Sequence, residues 1–148
     1  YTDPTTNEKF VPHVIEPAVG LSRLLFMVLC DSYVEEDNRV YLNVSAKLSP
    51  YKIAVFPLVK NKEEIVNKAK KVFESLCEDY NTYWDDRGNI GKRYAYQDEI
   101  GTPFCITVDY DSLDSDTVTI RDRDTTVQET VKVEKLQDWI KSKIADYK

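Results

Sequence analysis

A chain of 148 residues, 42% of them apolar, has the length of one ordinary domain and enough apolar content to close a core. Its 20 lysines and arginines stand against 26 aspartates and glutamates, a net charge of −6. That balance excludes a broadly basic surface, so any contact with nucleic acid has to be carried by a few cations gathered locally. No apolar run reaches the ~18 residues a membrane span needs, and no charged-then-apolar leader opens the chain. The first residue is Tyr1 rather than Met, which reads as a piece of a longer protein.

Residues 1–9 form a polar turn begun by Asp3-Pro4, and residues 10–15 read as a short strand. After a turn through Pro17 and Gly20, Leu21, Leu24, Leu25, Val28 and Leu29 recur at helical spacing, to about Tyr33. A helix this apolar calls for a covering surface. Residues 35–38 read as a charged surface loop and Val40-Tyr41-Leu42 as a short strand. Pro50 then breaks the pattern, which places a domain boundary at 44–50 and divides the chain into 1–49 and 50–148.

Beyond the boundary the pattern predicts a strand at 53–58 and an amphipathic helix at 63–78. Ile65, Ala69, Val72, Phe73 and Leu76 turn inward on it, while Lys62, Lys68, Lys70 and Lys71 form a solvated face. A strand at 82–84 and a helix at 90–100 follow. Strands at 104–110, 117–121 and 126–133, joined by turns, lead to a closing helix at 134–147 with Leu136, Ile140, Ile144 and Tyr147 on one face. This order is that of an α/β fold, a mixed five-stranded sheet with flanking helices, preceded by a strand–helix unit.

Two stretches carry chemistry. Residues 85–104 hold three of the four glycines, and the helix predicted there carries Lys92, Arg93, Tyr94, Tyr96 and Gln97 in its first two turns. Cation, planar ring and amide together suit an unstacked nucleobase and its phosphate. Asp86 and Arg87 precede them, and Arg121-Asp122-Arg123-Asp124 repeats the mixture of charges at a strand end. Such a mosaic reads base edges better than a uniform basic patch does. The plain reading of the second run is a turn neutralised by its own salt bridges, and Tyr94 and Tyr96, two apart on a helix, face different sides.

In the other stretch, Glu16 and Arg23 flank Pro17 and Gly20, placing an anion and a cation near one strand end, as a zwitterionic substrate beside a phosphate requires. From spacing alone a surface ion pair is the simpler account. His13 lacks a Ser, Cys or second His at a diagnostic spacing. Cys30, Cys77 and Cys105 lie far apart without CxxC spacing, which argues against a disulfide framework or zinc site and for a reducing compartment.

The runs GNIGKRYAYQDEIGTPF, TVTIRDRD and VPHVIEPAVGLSR resemble, in that family's motifs, the glycyl-tRNA synthetases of class II, and the similarity extends from about Tyr1 to the C-terminus. The resemblance implies a class IIa anticodon-binding domain at 50–148, and at 1–49 the end of a catalytic domain with motif 3 and a linker. It implies glycine contact by Glu16, ATP contact by Arg23, and tRNA anticodon contact by Asp86, Arg87, Lys92, Arg93, Gln97, Arg121 and Arg123. It further implies a cytoplasmic, dimeric parent enzyme that makes glycyl-adenylate and glycyl-tRNA(Gly) from ATP and glycine with magnesium. Motifs 1 and 2 are absent here, so this stretch alone is expected to be inactive and to hold no cofactor. Ala18 stands where the family commonly has serine. The competing reading is a non-catalytic, synthetase-like accessory subunit that binds nucleic acid. A free-standing nucleotide-binding enzyme is disfavoured because no phosphate-binding glycine loop follows the strand at 53–58.

Overall fold

All five residues of the strand Ile53–Pro57 are buried, because it lies inside the sheet with helices over both faces. The computed structural model describes residues 1–146. In chain order its elements are α1 (Leu21–Ser32), β1 (Tyr33–Glu36), β2 (Arg39–Leu42), β3 (Ile53–Pro57), α2 (Glu63–Cys77), β4 (Thr82–Trp84), α3 (Ile90–Ile100), β5 (Phe104–Val108), α4 (Asp111–Ser115), β6 (Thr117–Asp122), β7 (Gln128–Lys132) and α5 (Leu136–Asp146), the last preceded by a 3-10 turn at Val133–Lys135. The main sheet has the order β4-β3-β5-β6-β7. β4 and β5 run parallel to β3, and β6 and β7 continue antiparallel.

The period-two alternation of β3 assigns its side chains to two cores. Ile53 and Val55 pack with Ile65, Ala69, Val72 and Leu76 of α2 and with Leu136 and Ile140 of α5. Ala54 and Phe56 join Cys105 on the other face, under Ile90 and Tyr94 of α3. Each large aliphatic or aromatic side chain removed from water here contributes about 1.5–3 kcal/mol. Trp84 and Trp139 close the rims edge-to-face, on Phe73 and Phe104 at 5.6 and 5.3 Å.

The expected mixed five-stranded sheet with flanking helices is therefore present, and four local expectations are corrected. Residues 10–15 form no strand, because they are exposed and have no neighbouring strand to bond with; the one bridge in this region joins Thr2 and Lys9. The expected loop at 35–38 instead falls within the β1–β2 hairpin, with Tyr33 opposite Leu42 and Glu36 opposite Arg39. The turn expected at 111–116 contains the short helix α4. Lys68 is not solvated like its neighbours: its ammonium donates to the Ser112 carbonyl at 2.5 Å and to Asp116 at 2.6 Å, tying α2 to the region of α4. Tyr147, expected on the inner face of the last helix, lies outside the described residues.

α1 is helical, yet Ser32 is its one buried residue. Its leucines border an apolar groove shared with Leu42, Val44, Leu48, Pro50 and Ile100. Among the described residues no helix is long and apolar enough to cross a membrane.

Candidate nucleic-acid interface

α3 has clear local stop signals at both ends. At its start the Asn89 side chain accepts the Lys92 backbone N–H at 2.8 Å, a standard N-cap. Just upstream the Asp85 carboxylate accepts from the Arg87 backbone N–H at 2.9 Å and from its Nε at 3.1 Å. Burial pushes the Asp85 carboxyl pKa up, but these bonds outweigh it and the net shift is downward. At the other end Gly101 adopts φ +84°, and the N–H groups of Gly101 and Thr102 return to the carbonyls of Asp98 and Gln97. A Cβ on Gly101 would lie 2.5 Å from Val44 Cγ1, so glycine is needed here for both its backbone angle and its lack of a side chain.

Between these ends, Gly91, Tyr94, Ala95, Asp98 and Glu99 recur at helical spacing and line one side of a crevice of about 480 Å³; Arg39 and Val40 of the hairpin line it too, with Arg121 of β6. That volume falls within the roughly 300–1,000 Å³ of ligand pockets. Arg121 is held bidentately by Asp98, at 2.8 and 2.9 Å, and lies 5.0 Å from the centre of the Tyr94 ring. Burial works against the Arg121 charge, but Asp98 more than compensates and holds its pKa above the ordinary value. Burial likewise raises the Tyr94 phenol, whose oxygen is 2.7 Å from Thr107 Oγ1. With two guanidinium groups and two carboxylates on small and aromatic surroundings, the crevice offers donors and acceptors to a planar polar ring.

The predicted anticodon residues divide into two sets. Arg87 and Lys92 are exposed, and Asp86 is half-buried beside them. Arg93, Gln97, Arg121 and Arg123 are buried. Arg93 donates from Nη1 to the Pro57 and Asp85 carbonyls, at 2.7 and 3.3 Å, and from Nη2 to Leu58 at 3.2 Å. It thereby pins together the chain ends leaving β3 and β4, and burial lowers its pKa. Gln97 accepts from the Thr102 hydroxyl at 2.6 Å. Arg123 reaches the carbonyls of Val44 and Gly101, at 2.9 and 2.7 Å, and Asn43 Oδ1 at 3.1 Å. Of the two tyrosines, Tyr94 faces the core and Tyr96 is exposed.

Arg39 and Asp98 shape the crevice and stand outside the predicted anticodon set; Tyr94, singled out from the sequence only as one of two aromatic candidates on α3, lines it too. The 91/94/95/98 spacing, with two small residues in it, was the available signal for Tyr94 and Asp98; nothing local marked Arg39. Glu16 and Arg23 are exposed, in an irregular segment and in the first turn of α1, and their side chains make no hydrogen bond or ion pair among the described residues.

Residues 52–143 match the family described as "Anticodon binding domain". The chain belongs to that family. Over 153 aligned residues the anticodon-binding chain is 48% identical to the glycine–tRNA ligase of Borreliella afzelii (strain PKo), with 100% of this chain and 34% of that protein covered. The glycine–tRNA ligase of Clostridium kluyveri (strain ATCC 8527 / DSM 555 / NBRC 12016 / NCIMB 10680 / K1) is 48% identical over 149 residues, 97% of this chain and 32% of that protein. The chain thus spans about a third of the length of these relatives. Prolyl-tRNA synthetase from Cryptosporidium parvum, solved with halofuginone and AMPPNP, superposes with a TM-score of 0.66 at 18% identity, covering 71% of this chain and 23% of that one. That likeness is one of fold.

Proposed function

We propose that the chain is the C-terminal part of a glycine–tRNA ligase. The observation that carries this reading is a single alignment to such ligases through the whole chain, α1 segment and anticodon-binding fold in one order. In this reading residues 1–49 end the catalytic domain and link it to residues 50–148, which bind the anticodon loop of tRNA(Gly). Asp86, Arg87 and Lys92 meet the RNA directly. Arg93, Gln97, Arg121 and Arg123 act from beneath, fixing the loops and the crevice floor that give the contact its shape.

In the parent enzyme, a cytoplasmic homodimer, Glu16 takes the amino group of glycine and Arg23 an ATP phosphate, leading to glycyl-adenylate and then glycyl-tRNA. Both side chains are exposed and without hydrogen bond or ion pair among the described residues. Magnesium, where it assists the phosphate chemistry of the parent enzyme, is held largely by substrate phosphates and water; among the described residues no three His, Cys, Asp or Glu side chains converge as metal ligands. Arg23→Ala in the complete enzyme is expected to reduce ATP–pyrophosphate exchange strongly while tRNA binding is retained; unchanged exchange would remove Arg23 from the ATP site.

The direct test of the RNA reading is titration of the 148-residue chain with a tRNA(Gly) anticodon stem–loop and with a loop of altered anticodon bases, at two salt concentrations. Preference for the cognate loop is expected. Because the net charge is −6, affinity has to come from directed contacts, each worth ~1–3 kcal/mol. Equal binding of both loops would refute it.

A further inference from the structure

We infer that the β1–β2 hairpin, outside the residues that match the anticodon-binding family, is the second wall of the RNA crevice, with Arg39 as its positioning residue and an unpaired nucleobase of the anticodon loop as its occupant. The inference rests on the proposed RNA-binding function and adds an element to that site.

Three observations support it. The hairpin is fixed to the domain through its far side: Arg39 donates from Nη1 to the Arg123 carbonyl at 2.6 Å and from Nη2 to Asp124 at 3.0 Å, and Arg123 reaches back to Asn43 and Val44. Arg39 also reaches the crevice floor. Its Nη1 lies 3.7 Å from Asp98 Oδ2, so one carboxylate is shared between a guanidinium from β6 and one from the hairpin. Finally, Asn38 and Val40 line the crevice and are exposed without side-chain hydrogen bonds, with Val40 39% accessible. Across from them Gly91 and Ala95 keep the α3 wall low. A planar ring entering this slot meets an apolar side chain on its face and Arg39, Asp98 and Glu99 at its edges, the mixed donors and acceptors that base edges pair with.

The test separates wall from scaffold by substituting Val40, whose side chain bears no structural bond, before Arg39, which anchors the hairpin. In the 148-residue chain Val40→Glu is expected to weaken binding of the cognate anticodon stem–loop about tenfold or more, the loss of one directed contact, and to narrow its margin over the altered loop, with the thermal midpoint unchanged. Arg39→Ala is expected to narrow the margin further, and Arg39→Lys to leave it narrow, since one ammonium cannot reproduce the guanidinium's fork on two carbonyls beside a carboxylate. If Val40→Glu binds both loops as the parent chain does while Arg87→Ala weakens cognate binding, the hairpin is no wall and this inference falls, with the RNA reading intact. If the parent chain itself fails to distinguish the loops, the RNA reading fails and the inference with it.

Discussion

The two ends of α3 carry similar residues to different fates. Arg87 precedes its first turn and Lys92 lies within it, while Arg121 and Arg123 sit beside its last; all four have carboxylates close by in sequence. Yet the Arg87 side chain is 79% exposed and that of Arg123 is fully buried. The difference lies in what each end leaves unsatisfied. At the start, Asn89 caps the helix and Asp85 closes the turn before it, so Arg87 and Lys92 have little structural work left. At the finish the carbonyl of Val44 and that of Gly101, which also accepts from the Ser49 hydroxyl, are buried, and a guanidinium with several N–H groups pairs both. Whether an arginine serves the fold or a ligand is thus decided by nearby orphan acceptors, not by the arginine's own motif.

Substitutions at the two ends should separate by size. Arg123→Ala would leave the buried Val44 carbonyl without this donor and the Gly101 carbonyl with the Ser49 hydroxyl alone, and should lower unfolding free energy by about 2–4 kcal/mol in urea titrations. A loss below about 1 kcal/mol would mean that the buried end is not held this way. Gly101→Ala should cost about 2–4 kcal/mol, joining a left-handed backbone angle to a clash with Val44, and calorimetry would detect it as a large fall in melting temperature. At the opposite end Asn89→Ala should cost ~1 kcal/mol, the worth of an N-cap.

Arg87→Ala, smaller still in stability, should leave the urea midpoint nearly unchanged while reducing RNA affinity about 5–100-fold. The smallest effect belongs to Asp85. Its folded pKa lies below the ordinary 3.8, so its stabilising share is complete above that value and fades as pH falls through the folded pKa. Acid titration of Asp85→Asn beside the parent chain should therefore show a slightly flatter loss of stability for the variant.

Much of this contrast was hidden from the sequence, for reasons of distance. The apolar run of β3, the periodicity of α2 and the glycine-bounded α3 are local patterns, and the structure reproduces them with small shifts at the ends. The partners of Arg123 lie 22, 79 and 80 residues away, where no local pattern reaches, so its motif read equally well as a ligand contact. β1 escaped notice because it pairs with β2 alone and leaves most of its residues exposed, so burial imposes no alternation on them. α4 has five residues, DSLDS, too few to display a helical period. The exposed Arg87 and Lys92 and the half-buried Asp86 were legible as surface residues because charged side chains near a turn usually stay in water.

The clasp of Arg39 on the Arg123 carbonyl also sets an order of events during synthesis. The two residues are 84 positions apart, and a ribosome adds ~5–20 residues per second, so the hairpin emerges on the order of 4–17 s before its anchor exists. During that interval the exposed leucines of α1 and the unpaired edge of β2 stand open to any chaperone or neighbouring nascent chain. Only with the arrival of β6 and the turn after it does the hairpin gain its seat, so the last third of the chain is the step that secures the hairpin, while the α1 leucines stay exposed.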